Sequence, residues 1–257
     1  VEVVHGGRPV HLLCYFRGAD GLRAFAGWQA GRVKNTYLST QRHHGTTAAD
    51  VVEAAAERGG VVIPAHIFTP HKATLAAAPA VSEVIPPELW AHVPAVELGL
   101  SADTALADEL PELSRFPFVT NSDAHSLGRI GREYNQLLLA EPSFDEWLKA
   151  LRGEGGRRIL ANYGLDPRLG KYHRTFCLEC GTRVDGDPPV LRCLADPSHR
   201  VVLGVLDRIR HYAAWQEGRF AREARERPPY VHQVPLSFVP GLGRQGLERL
   251  LAAFGTE

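Results

Sequence analysis

Histidine and carboxylate side chains recur where predicted strands end in the first half of the sequence. Asp123 and His125 are separated by one residue after an apolar stretch, and His66 and His71 follow another such stretch. Alternate side chains of an extended segment point to the same face, so Asp123 and His125 can bind one ligand together. Carboxylate oxygens suit hard divalent metals and imidazole nitrogens suit zinc-like metals. The set therefore predicts a metal site that generates hydroxide for hydrolysis.

Two more candidates, Glu2 and His11, flank the first predicted strands. A single histidine at a strand end is more often solvated or hydrogen-bonded than bound to a metal. The metal interpretation therefore depends on all of these side chains meeting at one edge of a sheet or barrel.

The cysteines give an independent signal in the second half of the sequence. Cys177 and Cys180 form a C-x2-C pair, and Cys193 and His199 follow at the spacing of a zinc ribbon or knuckle. We predict a structural Zn²⁺ site from these four residues, with a redox dithiol as the alternative for the C-x2-C pair. His173 competes with His199 for the fourth position.

A basic and aromatic segment at 161–174 precedes the cysteines. Aromatic rings stack on bases and cations neutralise phosphates, so this composition is typical of a nucleic-acid contact, with a solvated basic loop as the alternative. The predicted DNA- or base-binding residues are Asn162, Tyr163, Arg168, Lys171, Tyr172, His173 and Arg174.

The elements that must position these residues alternate along the chain. Strands are predicted at 10–16, 61–68, 94–100 and 116–120, and helices at 46–60, 101–113 and 143–153. Such alternation predicts a parallel α/β sheet or barrel with functional residues at its carboxyl edge. After about residue 158 the sequence becomes loop-rich, and further helices are predicted at 200–227 and after the Gly-x-Gly turn near residue 242.

Composition sets broad limits on the class of protein. The chain has 257 residues, 44% of them hydrophobic, and its 29 basic side chains equal its 29 acidic ones. No apolar stretch is long enough for a membrane span or a signal peptide, so we expect a cytoplasmic protein with no membrane partner. The sequence lacks methionine and opens inside a predicted strand, from which we expect the natural protein to begin further upstream.

Several stretches together resemble the endonuclease Q family, whose members are PHP-domain nucleases with an attached zinc-binding domain. The stretches are HLL (11–13), GRVKNTYLSTQR (31–42), IPAHIFTPHK (63–72), VELGLSADT (96–104), TNSDAHS (120–126), ANYGLDPRLGKYHRT (161–175) and the cysteine cluster. The resemblance implies an α/β fold, an incomplete PHP-type distorted (βα)7 barrel followed by a small zinc-binding domain and a helical C-terminal segment. The expected ranges are 1–158, without the family's N-terminal His-x-His part, then 159–215 and 216–257.

The resemblance also implies a function and site residues. Family members nick DNA 5′ to deaminated bases (uracil, hypoxanthine, xanthine) or abasic sites, using divalent metal ions. It assigns catalytic roles to Asp123 and His66, places His71 near the metal or phosphate, and makes metal ligands of Glu2, His11, His66, Asp123 and His125, with Mg²⁺, Mn²⁺ or Zn²⁺ bound. The family more often has a fourth cysteine at the position of His199. Without the His-x-His part, we expect the chain alone to be weak or inactive.

The expected partner is DNA containing damaged bases, and a sliding clamp is a candidate protein partner. Two alternative functions remain open at this point. One is a PHP phosphoesterase of small molecules, against which the zinc cluster and the basic segment argue. The other is a noncatalytic, zinc-stabilised DNA-binding module.

Overall fold

The computed structural model describes residues 1–36, 42–234, 236 and 239–254, so residues 37–41 of the GRVKNTYLSTQR stretch lie outside the described residues. The strands are β1 (Glu2–His5), β2 (Arg8–Phe16), β3 (Gly60–Pro64), β4 (Val96–Glu97), β5 (Phe118–Val119), β6 (Tyr134–Leu138), β7 (Arg158–Leu165), β8 (Phe176–Cys177), β9 (Val201–Val202) and β10 (Tyr230–Gln233). The helices are α1 (Ala19–Ala30), α2 (Ala48–Ala56), α3 (Thr74–Ala77), α4 (Thr104–Ala107), α5 (Phe144–Arg152), α6 (Val205–Gln216) and α7 (Arg244–Phe254). No helix in these described ranges is long and apolar enough to cross a membrane.

The first sheet has the order β1-β2-β3 and is antiparallel throughout. Glu2 pairs with His11, and Leu12 pairs with Pro64, two residues before His66. The expectation of parallel pairing is therefore wrong here. The short Gly6–Gly7 turn, with positive φ at both glycines, joins β1 to β2 as a hairpin, and β3 then pairs antiparallel with the other edge of β2. This pairing brings Glu2, His11 and the end of β3 to one edge.

Parallel pairing does occur between β4 and β5, where Val96 pairs with Phe118. The backbone N–H of Ile67, just after β3, donates to the carbonyl of Glu97 at 2.9 Å, which joins β3 to β4. Successive strands of the barrel thus end side by side, and the loops after β3 and β5 leave from the same edge.

The third sheet has the order β10-β7-β6. Its central strand β7 covers 158–165, residues that sequence texture predicted as the start of a loop-rich region. That prediction is wrong for these residues, because β7 pairs antiparallel with β6 and parallel with β10. Asn162 on β7 also donates to the carbonyl of Phe118, which ties this sheet to β5.

Some of the helices predicted from the sequence are confirmed by the structure, and others are shorter than predicted. The helix predicted at 46–60 is confirmed as α2, whose N-terminus carries a capping box between Thr47 and Asp50. Ser143 caps α5 as predicted. The helix predicted at 101–113 is instead α4 followed by a 3-10 turn at Pro111–Arg115, because Pro111 cannot continue the helical hydrogen bonding.

The helix predicted at 200–227 ends at Gln216, beyond which a non-helical strap returns along the barrel. Arginine side chains of this strap donate to backbone carbonyls of 108–116, and Arg227 also pairs with Asp108 at 2.7 Å. The guanidinium of Arg227 lies 3.6 Å from the ring centre of Phe118. These arginines therefore hold the strap in place.

Helix α6 joins the cysteine-containing region to the barrel. Val205 and Ile209 are buried in the same core cluster as Phe68 and Phe118, with Tyr212 packed against it, as the predicted apolar stripe required. Neighbouring Asp207 is fully buried and accepts hydrogen bonds from the backbone N–H groups of Thr175 and Val190, both at 2.8 Å. One helix thus contacts both parts of the chain.

Candidate metal-dependent active site

A cavity of about 480 Å³ opens where β2, β3, β4 and β5 meet. Its lining includes the predicted residues His11, His66, His71, Asp123 and His125. Glu2 lies beside it and contacts His11. The structure therefore collects the predicted barrel residues around one cavity, together with side chains that the sequence analysis did not single out, namely Lys72, Glu97 and Asn121.

Glu2 is 4% exposed and lies among three basic side chains. Its carboxylate is 2.7 Å from Arg42, 3.0 Å from His11 and 3.2 Å from Lys72. Burial opposes ionisation, but the hydrogen bonds from these partners outweigh it and lower the pKa of Glu2 to about 2. Glu2 is therefore an ionised carboxylate at neutral pH, as a metal ligand must be.

His11 and His66 face each other across the cavity floor. Nδ1 of His11 lies 3.2 Å from Nε2 of His66, close to the separation of about 3.3 Å between two nitrogens bound to one tetrahedral zinc ion. Burial lowers the pKa of both imidazoles, and this outweighs the opposing influence of Glu2 on His11 and of Asp123 on His66. Both rings are therefore neutral at pH 7 and have a lone pair to offer. The separation and the protonation state of these two nitrogens thus fit a shared divalent metal.

Thr69 orients the ring of His66. Its hydroxyl lies 3.1 Å from Nδ1 of His66, leaving Nε2 turned towards His11. A hydrogen bond to the second ring nitrogen is the usual way in which proteins set the tautomer of a metal-binding histidine. His66 itself has a left-handed backbone, with φ of 32°. Strain of this kind in a non-glycine residue persists only where the surroundings hold it.

Glu97 provides part of that support, and sequence reasoning missed it. The side chain is 3% exposed, accepts from the backbone N–H of His66 at 2.8 Å, and accepts from the side-chain amide of Asn121 at 2.7 Å. Glu97 therefore joins the His66 turn to the loop that carries Asp123. The available signal was a carboxylate inside the apolar stretch PAVELGL.

The stretch PAVELGL also requires a glycine at position 99. A Cβ built there would lie 2.5 Å from Cβ of His66, and the residue has φ of 70°. Both the contact and the backbone conformation exclude larger side chains.

Asp123 and His125 occupy the loop after β5, on the cavity wall. Nδ1 of His125 is 2.9 Å from the carbonyl oxygen of Asp123 and 3.9 Å from its carboxylate. Asp123 has a left-handed backbone, with φ of 43°. Arg132 donates to the carbonyl of Ser122 at 2.7 Å and helps to hold the loop. The alternation that suggested one shared ligand does not apply to this loop, because the chain turns at Asp123.

A second group of ligands lies in the cysteine-containing region. It consists of Cys177, Cys180, Cys193 and His199, whose ligand atoms all lie within 4.8 Å of one another. Within the described residues, no other set of three or more His, Cys, Asp or Glu side chains is as close. Sγ of Cys180 is 3.8 Å from Sγ of Cys193 and 3.4 Å from Nδ1 of His199. Tetrahedral zinc with bonds of about 2.3 Å to sulfur requires separations of this size.

The surroundings of this quartet also suit a metal. The backbone N–H of Cys180 donates to Sγ of Cys177 at 3.3 Å, and backbone N–H groups of Asp196 and Ala195 hold the pKa of the Cys193 thiol below its usual value. Asp196 lies 3.6 Å from Nε2 of His199, on the side away from the sulfurs. The structure thus places His199, and not His173, with the three cysteines.

Comparison with known proteins connects both sites to one family. A family model described as PHP-associated matches residues 105–154. The uncharacterized protein YqxK of Bacillus subtilis is 44% identical over 252 residues, covering 97% of this chain and 62% of that protein. The uncharacterized protein MJ0043 of Methanocaldococcus jannaschii is 41% identical over 152 residues, covering 55% of this chain and 18% of that protein.

Two solved structures match over the whole chain. The lesion-specific endonuclease PfuEndoQ from Pyrococcus furiosus has a TM-score of 0.81 and 31% identity, covering 99% of this chain and 65% of that one. An endonuclease Q complex with a 27-mer duplex carrying an abasic lesion at the active site has a TM-score of 0.82 and 32% identity, covering 100% and 66%. The chain belongs to the endonuclease Q family. The predicted PHP-type α/β fold is thereby confirmed.

This endonuclease Q family chain spans less than two thirds of the length of the curated relatives it matches.

The predicted DNA-binding residues of this chain lie in quite different environments. Asn162 is fully buried and donates to Asn135 at 2.7 Å, and Arg174 pairs with buried Asp207 at 3.1 Å. Both side chains hold the fold together. Full burial leaves Asn162 no surface for a DNA contact, contrary to the prediction, whereas Arg174 is partly exposed and its DNA contact stays a prediction.

The remaining predicted DNA contacts are distributed over two surfaces. Tyr163 stacks on Tyr134 with ring centres 4.6 Å apart, and Arg168 forms an ion pair with Asp166. Tyr172 contacts His71 edge to face at the cavity rim, with ring centres 6.2 Å apart, and exposed Lys171 lies beside it. His173 is partly buried. Lys171 and Tyr172 are therefore the predicted contacts closest to the cavity.

The buried carboxyl of Glu97 makes stability depend on pH. Burial is the largest influence and raises the pKa of Glu97 to about 7, although both of its hydrogen bonds oppose this rise. Between about pH 4.5 and 7 the folded state keeps a proton that the unfolded state has lost, so the free energy of unfolding falls as pH rises through this window. We expect a loss of up to about 3 kcal/mol from this group.

Glu97→Gln should remove that dependence. The amide can accept only one of the two hydrogen bonds, which costs about 1–2 kcal/mol at every pH. Urea unfolding in EDTA from pH 4.5 to 8, for the parent, Glu97→Gln and the exposed control Glu141→Gln, measures the difference. Parallel pH profiles for the parent and Glu97→Gln would show that Glu97 ionises normally.

Proposed function

We propose that this protein is a DNA repair endonuclease that hydrolyses the phosphodiester on the 5′ side of a damaged nucleotide, with a divalent metal ion bound in the barrel cavity. The proposed lesions are deaminated bases (uracil, hypoxanthine, xanthine) and abasic sites. The observation that carries the proposal is the cavity itself, where neutral His11 and His66 lie 3.2 Å apart next to Asp123. The likeness to an endonuclease Q complex with a duplex carrying an abasic lesion supports DNA as the substrate.

The side chains divide the work in the proposed mechanism. His11, His66 and Asp123 would hold the metal, with Glu2 and His125 completing the donor set. A divalent ion in such a site supplies a hydroxide nucleophile at neutral pH and polarises the phosphoryl oxygen. Lys72, which lies 3.2 Å from Glu2 at the cavity wall, places a positive charge where negative charge develops on the phosphoryl oxygens.

Glu97 and Thr69 act through other residues. Glu97 sets the distance between the His66 turn and the Asp123 loop, and Thr69 sets the ring orientation of His66. Fixed donors of this kind lower the reorganisation needed in the transition state. Lys171 and Tyr172 would contact the strand or an extruded base, and their position beside His71 supports this role.

The proposal is tested on the natural protein, for which we expect full activity, beside this chain alone, for which we expect weak activity or none. The substrates are end-labelled duplexes that contain one uracil, hypoxanthine, xanthine or abasic site, and an undamaged duplex of the same sequence. We expect cutting only on the 5′ side of the lesion, in Mg²⁺ or Mn²⁺, and none in EDTA. Equal cutting of the undamaged duplex would contradict lesion specificity. Duplex binding without cutting would favour the noncatalytic zinc-stabilised module, and hydrolysis of small phosphomonoesters alone would favour the phosphoesterase.

A further inference from the structure

A second cavity, of about 320 Å³, lies beside the first. It is enclosed by the start of β2, the loop after His66, strand β9 and helix α6, and its polar lining comes from Arg8, His71, Arg208 and Tyr212. His71 lines both cavities. Whatever occupies the second cavity is therefore a neighbour of the ligand in the first.

Arg208 is the unusual residue in this lining. Its side chain is 4% exposed, and one terminal nitrogen, Nη2, donates to the carbonyls of Phe68 and Thr69. Its Nε is buried without a hydrogen-bond partner. Among the described residues no carboxylate forms an ion pair with Arg208. A buried guanidinium without a counterion is costly, and proteins rarely keep one without a ligand or a partner for it.

A second positive charge, on Arg8, makes this cost larger. Arg8 is exposed, and across the described part of the chain its guanidinium has no hydrogen bond and no ion pair. Burial first, and then the positive charge of Arg8, lower the pKa of Arg208 to about 10 despite an opposing influence of Tyr212. The acid that influences the lining is exposed Glu83, which acts on Tyr212. Among the described residues, the lining of this cavity thus has two guanidinium groups, an imidazole and a phenol, and no carboxylate.

We propose that this cavity is a phosphate-binding subsite, in which Arg8 and Arg208 bind a backbone phosphate of the DNA strand next to the phosphate that is cut. This inference rests on the proposed function. Guanidinium groups donate to phosphate oxygens, and a bound phosphate supplies the counterion that Arg208 lacks. In Arg208, Nη2 already donates to two carbonyls and Nε is buried, so Nη1 is the nitrogen left to donate to the phosphate. The shared wall at His71 places the bound phosphate beside the metal cavity. The subsite would therefore fix the register of the strand.

Arg8→Gln is the first test, because Arg8 is exposed and its loss leaves the core intact. Binding of an abasic duplex in EDTA is measured between 50 and 200 mM salt for the parent, Arg8→Gln and the control Arg23→Gln, in which the lost arginine pairs only with Asp20 on its own helix. We expect Arg8→Gln to bind about tenfold more weakly and to lower the slope of log affinity against log salt by about one. A slope equal to that of Arg23→Gln would overturn the subsite.

A chemical change in the DNA tests the same contact from the other side. Single methylphosphonate linkages, which remove the charge of one phosphate, are placed at each position around the lesion. At the contacted position the methylphosphonate should weaken binding to the parent but have no further effect on Arg8→Gln. If the losses of binding free energy caused by Arg8→Gln and by the methylphosphonate are additive at every position, then Arg8 does not contact a backbone phosphate and the proposal fails.

Inorganic phosphate distinguishes a DNA phosphate from a free anion. Because Arg208 is buried, the variant at this position is Arg208→Lys, which keeps the positive charge. This variant should retain part of the slope of log affinity against log salt. A free-anion site predicts two results together. Inorganic phosphate would raise the melting temperature of the parent but not of Arg8→Gln, and no methylphosphonate position would be coupled to Arg8. This pair of results would overturn the assignment to a DNA phosphate. Because binding is measured without metal, failure of lesion cutting and failure of the subsite give separate results.

Discussion

Asp123→Asn is expected to lower the rate of lesion cutting by about a thousandfold or more, because it removes the carboxylate that the proposed metal needs on this wall of the cavity. Asparagine is the right replacement. Asp123 has φ of 43°, a conformation that asparagine tolerates and alanine does not. The variant should therefore fold as the parent does, and single-turnover cutting of a uracil duplex measures the loss.

The control for this change is Asp145→Asn, which removes a surface carboxylate from the first turn of α5 that pairs with Arg17. Its cutting rate should equal that of the parent. Metal binding gives a second readout, since titration with Mn²⁺ should show weaker binding to Asp123→Asn alone. A variant at Asp123 that cuts as fast as the parent would contradict the proposed mechanism, whatever the role of the cavity.

Cys180→Ser is expected to remove the bound zinc and to unfold the region around the cysteines. The core of this region is small, and Val184 and Val190 pack with the buried ligands Cys177 and Cys193. A cluster of this size cannot maintain its fold without the metal. Cys180 is exposed, so the serine itself disturbs no packing. Elemental analysis should find about one zinc fewer per chain, and amide exchange should accelerate across 175–204.

Cys14→Ala is the matched control, because Cys14 is a free thiol in β2 outside the cluster. It should keep the zinc and the slow exchange. If Cys180→Ser also keeps both, the quartet is not a metal site. The effect of zinc loss should reach the barrel as well, because helix α6 contacts both regions. Its Asp207 accepts from the backbone of Thr175 and Val190 in the cysteine-containing region. The next residue, Arg208, donates to the carbonyls of Phe68 and Thr69, close to His66 in the chain. We therefore expect slower cutting by Cys180→Ser.

Local signals in the sequence predicted local structure well. The capping box of Thr47 and Asp50 and the cap at Ser143 mark true helix starts, because a cap depends only on residues three apart. The two-residue strands β4 and β5 and the break at Pro111 show the limit. In the two short strands tertiary hydrogen bonds, and not propensity, decide where an element begins and ends, whereas Pro111 is a local signal that the helix prediction at 101–113 overlooked.

The candidate sites show the same division. The spacing of Cys177, Cys180, Cys193 and His199 was sufficient to predict their cluster, because a small metal site is built from one short segment. The composition of the cation-rich segment at 161–174 did not distinguish its buried side chains from its exposed ones. Whether Asn162 or Arg174 is free depends on Asn135 and Asp207, which are 27 and 33 residues away along the chain.

By itself, the sequence determined which chemistry is available to this protein: imidazole and carboxylate donors at strand ends, a Cys3His quartet and helices with defined caps. These are properties of residue type and short spacing. Only the tertiary structure decided that β1, β2 and β3 are antiparallel, that Glu97 joins the His66 turn to the Asp123 loop, and that Arg208 is buried beside Arg8 without an acidic partner among the described residues. Each of these depends on contacts between distant parts of the chain, which are set by packing of the whole core.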